Sequence, residues 1–134
     1  MIDIEPSVIS AVQTSVRTSY PTLTVYPEYI RIPASFPHIT VIEGDNRSYS
    51  PSATSGFANN HAVVMYTVDV YSNRKNAKKA EAKAIMALAD SAMLALGFFR
   101  ISNQPLPNVA DSTIYRIVAR YRAVVSASET IHPI

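Results

Sequence analysis

The stretch Thr113–Val125, TIYRIVARYRAVV, decides the fold. Tyr115, Ile117, Ala119, Tyr121, Ala123 and Val125 alternate with Arg116, Val118, Arg120, Arg122 and Val124. A period of two sends successive side chains to opposite faces of a β-strand. One face is apolar and aromatic and belongs against a core. The other sets Arg116, Arg120 and Arg122 among Ile114, Val118 and Val124. That second face must meet something: water, acidic side chains, nucleic acid, a substrate or another chain.

Working outward, HAVVMYTVDVYS (61–72) alternates in the same way. Ala62, Val64, Tyr66, Val68 and Val70 share one face, and Met65, Thr67, Asp69 and Tyr71 the other. Both faces carry apolar surface, so this reads as a central strand, or as one with a face buried by a partner chain. Asn73 then offers an N-cap, and the Ala-, Lys-, Leu- and Met-rich stretch up to Gly97 is strongly helical. Ala77, Ala84, Ile85, Leu88, Ala92, Ala95 and Leu96 form its expected inward stripe, and Gly97 is a natural C-cap. FFRIS begins a further strand, NQPLPN reads as a turn or loop, and SASETIHPI has no pattern and is expected to be mobile or assembly-dependent.

Toward the N-terminus, Ile4, Val8, Ala11, Val12 and Val16 follow helical spacing. They predict a first helix from about Glu5 to Tyr20, with Asp3 and Glu5 suited to its dipole and Pro21 as its stop. Pro27, Pro33 and Pro37 break the following segment into an edge strand or extended connection. PHITVIE, ending at Glu43, is the firmer strand. Residues 44–60, GDNRSYSPSATSGFANN, form a long polar loop or a projecting β-arm anchored by Tyr49 and Phe57. The order predicts a single α+β domain over residues 1–134. Its antiparallel-rich sheet has about four to five strands, with two helices packed on one face.

Composition narrows the function. Only 16% of the 134 residues are charged, against 48% hydrophobic, so much of the surface is neutral or apolar, as in chains that work inside an assembly. The net charge of +2 is far below the dense basic stripe of a committed nucleic-acid binder. With no cysteine, disulfides, thiolate metal sites and thiol nucleophiles are excluded. MIDIEPSVIS does not read as a signal peptide, and no apolar stretch approaches the roughly 20 residues that span a bilayer. The expectation is a soluble protein acting in a cytoplasm or in something assembled there.

Motifs for catalysis do not emerge. Gly44, Gly56 and Gly97 fit no phosphate-cradling loop. His38, His61 and His132 fit no metal spacing, although His38 and His61 could approach one another on neighbouring strands. No serine sits in GxSxG. Asp69, mid-strand among apolar neighbours, reads first as an ion-pair partner of Arg116 or Arg120; a catalytic carboxylate would need a second acid or base. The arginine face has four readings: solvated; salt-bridged to Asp69, Glu43 or a neighbouring subunit; in contact with DNA; or lining a substrate site. Sequence order favours a partner chain or water over a ligand. Lys75, Lys79 and Lys83, spaced by four beside Arg74 and Lys78, read as a solvated helix face, or as a contact with an acidic neighbour or with DNA.

Five segments together carry a resemblance: FPHITVIEG (36–44), the polar loop, VVMYTVDVYSN (63–73), NRKNAKKAEAKA (73–84) and MLALGFFRISNQPLPNVADSTIYRIVARYRAVV (93–125). YTVDVYSN leading into a basic helix, and LGF followed after a loop by D…IYR…RYRAVV, are the most characteristic. The chain resembles the tail terminator or tail completion proteins of long-tailed bacteriophages, the small "minor capsid" type. The resemblance covers nearly the whole chain and rests on spacing and residue type.

It implies a structural virion protein, neither enzyme nor cofactor binder and without a membrane. Such a protein assembles in the host bacterial cytoplasm into a homo-oligomeric, usually six-fold ring at the head-proximal end of the tail tube. The ring ends tube polymerisation and meets the neck or head-completion connector, and phage DNA passes through its lumen. Arg116, Arg120 and Arg122 with Asp69 on the strands, Arg47, Tyr49 and Phe57 in the loop, and Lys75, Lys79 and Lys83 on the helix are the candidate contacts with sister subunits, the tail tube protein or the neck. A neck connector of the same virion is the alternative, and a DNA-binding module a more distant one.

Overall fold

The computed structural model describes residues 2–29, 33, 35–48, 61–107 and 113–132. Two helices and six strands follow in the order α1 (Glu5–Val16), β1 (Val25–Tyr26), β2 (His38–Ser48), β3 (His61–Ser72), α2 (Lys78–Leu96), β4 (Phe99–Pro107), β5 (Tyr115–Ser126) and β6 (Ile131–His132). They form an α+β fold with an open, mostly antiparallel sheet ordered β1-β2-β3-β5-β4, with β6 paired to β5. Among the described strands only the two-residue β1 runs parallel to its neighbour.

β3 is central, as its two-sided pattern implies, and is paired along its length with β2 and with β5. The alternating residues of β3 and β5 divide as expected. Val64, Tyr66, Val68 and Val70 join Ile117, Ala119, Tyr121, Ala123 and Val125 in one core, with Val8, Val12 and Val16 of α1 and Ile85, Met86 and Met93 of α2. Both helices therefore cover the same face of the sheet. Burying side chains of this size contributes about 1.5–3 kcal/mol each. The Ser15 hydroxyl donates to the Leu88 carbonyl at 2.7 Å and pins α1 to α2. The Gln13 side chain accepts the Val25 N–H at 3.1 Å and holds β1 against α1.

Six expectations are corrected. α1 stops at Val16, four residues short of Tyr20, and the chain turns over Arg17–Ser19 before Pro21 is reached. Asn73 is not the N-cap of α2: a turn containing Asn76 at φ 63° intervenes, and the helix begins at Lys78 after Ala77. The inward stripe of α2 is Ala82, Ile85, Met86, Ala89 and Met93, while Ala84 and Ala95 are exposed. Alanines surround this helix, so hydrophobicity hardly distinguishes its faces and the two methionines set the phase. β2 continues through Gly44 to Ser48 by way of a bulge between Glu43 and Asp45, and β4 continues through the segment expected to turn. Proline is tolerated there because β4 is an edge strand.

The sixth correction concerns the tail. It folds back at Ser126–Thr130, where Glu129 takes φ 64°, and Ile131 and His132 pair with Val125 and Val124. Gly97 adopts φ 107° as the C-cap of α2, and a Cβ there would lie 3.2 Å from Ile131 Cγ2. The glycine thus satisfies the helix end and admits the returning strand.

Candidate functional site

The face of the sheet turned away from the helices carries the arginines. The register lays out its rows: His38–Tyr71–Arg116–Leu106, Thr40–Asp69–Val118–Gln104, Ile42–Thr67–Arg120–Ser102 and Asp45–Met65–Arg122–Phe99. Paired residues share a face, and diagonal neighbours are within reach of long side chains.

Arg116 uses that diagonal. Its Nε and Nη2 donate to Asp69 Oδ1 at 2.9 and 2.8 Å, with side-chain exposures of 20% and 3% respectively. The guanidinium also lies over the rings of Tyr71 at 5.4 Å and Tyr29 at 5.8 Å, so it is held by charge and by two aromatic faces. Burial raises the Asp69 carboxyl above its ordinary value, and Arg116, with Arg120 behind it, draws it back. Burial lowers the basicity of Arg116, but the bond to Asp69 outweighs it and the guanidinium stays charged. Burial pushes the Tyr71 hydroxyl up to about 12.

His38 stacks on Tyr26 at 4.9 Å and tilts against Tyr71 at 5.9 Å, and burial lowers its pKa. Among the described residues, His38 Nε2, Thr40 Oγ1 and Tyr71 Oη are buried with no hydrogen-bond partner. This end of the face is self-sealed by aromatic rings.

Arg120 and Arg122 differ. Both are half-buried, and neither has an ion-pair partner among the described residues. Arg122 lies between Met65 and Phe99 in register, and Phe99 and Ile101 of β4 are 54% and 46% exposed. Sequence reasoning missed this apolar edge because FFRIS reads as an ordinary strand until its place at the end of the sheet is known.

The other candidates are scattered. Arg47, at the end of β2, makes an exposed pair with Asp45 at 3.6 Å. Tyr49 and Phe57 lie outside the described residues. Glu43, a possible arginine partner, instead faces the core side, where it accepts from Tyr66 Oη at 3.3 Å and Asn46 Nδ2 at 3.2 Å. Lys75 sits in the turn before α2 and Lys79 and Lys83 on the helix. All three are exposed and line a hollow of about 860 Å³ with Arg74, Lys78 and Thr113.

His38 and His61 stand at opposite ends of β3, since His38 pairs with Tyr71 while His61 pairs with Ser126, and His61 faces His132 at 5.8 Å. Among the described residues no three His, Cys, Asp or Glu side chains gather in a way that could hold a metal ion. Asp69, committed to Arg116, is not a free base.

The surface is therefore that of an α+β domain offering cations and an open sheet edge. Comparison with protein-family models and with curated protein sequences finds no match. Among the described residues no helix is long and apolar enough to cross a membrane.

Proposed function

We propose that the chain is a structural virion protein, a tail terminator that forms a ring on the head-proximal end of a phage tail tube, ends tube growth and joins the tail to the neck. The observation that carries this reading is the division of the sheet. Helices seal one face, while the other presents Arg120 and Arg122, which have no ion-pair partner among the described residues, beside exposed Phe99 and Ile101. Unpaired arginine beside exposed aromatic and aliphatic surface suits a protein partner. The layout of segments described above directs the reading to the tail. Assembly work of this kind needs no reacting group, and the one buried acid on this face serves Arg116.

Electron microscopy of lysates from a phage in which this reading frame is interrupted tests the proposal. Overlong, headless tubes, restored to normal length by the chain supplied in trans, are expected. Tails of normal length lacking heads would assign the chain to the neck instead, and intact infectious particles would refute both placements.

A further inference from the structure

The chain has four lysines, Lys75, Lys78, Lys79 and Lys83, and all of them stand in one place. With Arg74 they line the hollow of about 860 Å³ at the turn after β3 and the first turns of α2. Among the described residues no acid and no aromatic side chain lines it. The one acid of residues 73–84, Glu81, is engaged elsewhere. Its carboxylate accepts from Ser72 Oγ at 2.8 Å and pairs with Arg74 at 3.6 Å, and its side chain is 9% exposed. Lys75, Lys79 and Lys83 are exposed and have no ion-pair partner among the described residues. The net charge of +2 thus conceals a segregation, in which every lysine of the chain is gathered at one hollow.

The kind of cation decides what fits there. Protein interfaces are enriched in arginine and depleted in lysine, and a carboxylate is best met by the guanidinium fork. Lysine is a compact, strongly hydrated point charge on a flexible stem, and it meets phosphate without fixing its orientation. The two cations separate in this fold. Arg120 and Arg122 lie beside exposed Phe99 and Ile101, whereas the lysines stand in a hollow with no ring described in its lining. A single strand gains much of its binding from bases stacked on aromatic side chains, which this lining does not offer. A duplex needs no stacking partner and presents a charge every ~1.7 Å of its axis. Lys79 and Lys83, about 6 Å apart along the helix, therefore meet phosphates in any register.

We propose that this hollow binds the phosphate backbone of double-stranded nucleic acid, without sequence preference. The residues that form it belong to a single chain, so this binding does not depend on the ring-forming reading above.

Fluorescence anisotropy of a labelled duplex of about 20 base pairs, titrated with the full-length chain across a salt series, tests this. If the three lysines without ion pairs, or all five cations, each neutralise a phosphate, log affinity falls against log salt with a slope of about −3 to −4.5. Between about 50 and about 200 mM salt the affinity should then drop roughly 40- to 500-fold. The variant K75Q/K79Q/K83Q should flatten the slope by about 3. Its circular dichroism and urea midpoint should match wild type, since all three side chains are exposed. R120Q/R122Q should bind the duplex like wild type. Duplexes of unrelated sequence should bind equally, and a single strand of the same length more weakly.

No binding at about 50 mM salt, or a slope shallower than about −1, overturns the proposal. So does a lysine variant that binds like wild type, or a loss of binding confined to the arginine variant, which would move the duplex to the sheet face. Polyglutamate of matched charge displacing the duplex as well as unlabelled DNA does would make the occupant an acidic protein segment and overturn the nucleic-acid assignment. Tail length in the interrupted phage is a separate readout, so failure of this binding and failure of the terminator reading are told apart.

Discussion

Replacing Arg116 with Met removes the guanidinium while keeping most of its stem beneath Tyr71 and Tyr29. Asp69, 3% exposed, then keeps a buried carboxylate without its cation, or it takes a proton. Protonation sets the ceiling on the cost. Starting from the ordinary value of 3.8, neutralising the group at pH 7 costs about 1.36 kcal/mol per pH unit, about 4 kcal/mol in all. The wild-type protein already bears part of this, since burial raises Asp69 even beside Arg116. The lost contacts with two tyrosine faces add about 0.5–1 kcal/mol each. The expected destabilisation at neutral pH is about 3 kcal/mol, the scale of a broken buried pair.

The pH dependence carries the sign. Loss of Arg116 raises the folded-state pKa of Asp69 further above its unfolded value. A group raised in this way contributes most below its unfolded pKa and loses that contribution as pH rises through the folded one. The gap between variant and wild type therefore narrows on acidification, with the protonation ceiling falling to about 1.5 kcal/mol at pH 5. Urea unfolding measures it: with a slope of about 2 kcal/mol per molar, the midpoint drops by about 1.5 M at pH 7 and by less at pH 5. The double variant D69L/R116M should return to within about 1 kcal/mol of wild type, because an apolar pair replaces two buried charges. A single-variant cost below about 1 kcal/mol at neutral pH, or a gap indifferent to pH, would refute the assignment of Arg116 as a structural cation.

Three further outcomes are expected. Tyr121→Phe removes a 2.7 Å bond to Asp90, which keeps Arg100 at 2.8 Å, and should cost about 1.5–3 kcal/mol in chemical denaturation. Gly97→Ala places a Cβ in the left-handed region 3.2 Å from Ile131; a loss of about 1–2 kcal/mol and faster hydrogen exchange at the β5–β6 pairing should follow. Burial lowers the His38 pKa below 6.5, so its contribution is full above 6.5 and is lost as pH falls from there through the folded value. His38→Phe should flatten the dependence of the urea midpoint on pH between about 7.5 and 5.

What could be read from sequence follows where side-chain size alternates strongly. In β3 and β5 bulky apolar residues alternate with polar ones, so period and face are both legible. In α2 the alanines leave little contrast around the helix, and Met86 and Met93, rather than periodicity, set its phase. Pro105 and Pro107 suggest a turn until β4 is known to be an edge, where the missing N–H costs no ladder bond. Gly44 suggests an end to β2 until the bulge is seen. An ion pair between Asp69 and Arg116 or Arg120 was legible because all three lie on alternating strands; register selects Arg116. The ring of Tyr29 over the guanidinium was not, because it comes from a segment outside the sheet, and the place of Tyr71 directly opposite Arg116 depends on register. The same holds for His38 and His61, whose separation depends on register alone.

Register also breaks the equivalence of the three arginines of β5. By spacing alone they form one basic row. In the fold, Arg116 falls beside Tyr71 and diagonal to Asp69, where chain already present in the monomer supplies a counter-charge and two rings. Arg120 and Arg122 fall two and three rows along, opposite Thr67 and Met65; Arg120 still draws on Asp69 through space, but neither makes an ion pair among the described residues. A cation whose partner is built in stabilises the fold; a half-buried cation with no ion pair among the described residues gains from an incoming acid. Removing Arg116 should therefore act on the unfolding midpoint, whereas reversing Arg120 and Arg122 should leave that midpoint nearly unchanged and act on association. One strand thus differs along its length: Arg116 at one end is held by Asp69 and two aromatic rings, while Arg120 and Arg122 toward the other lie half-buried beside exposed Phe99.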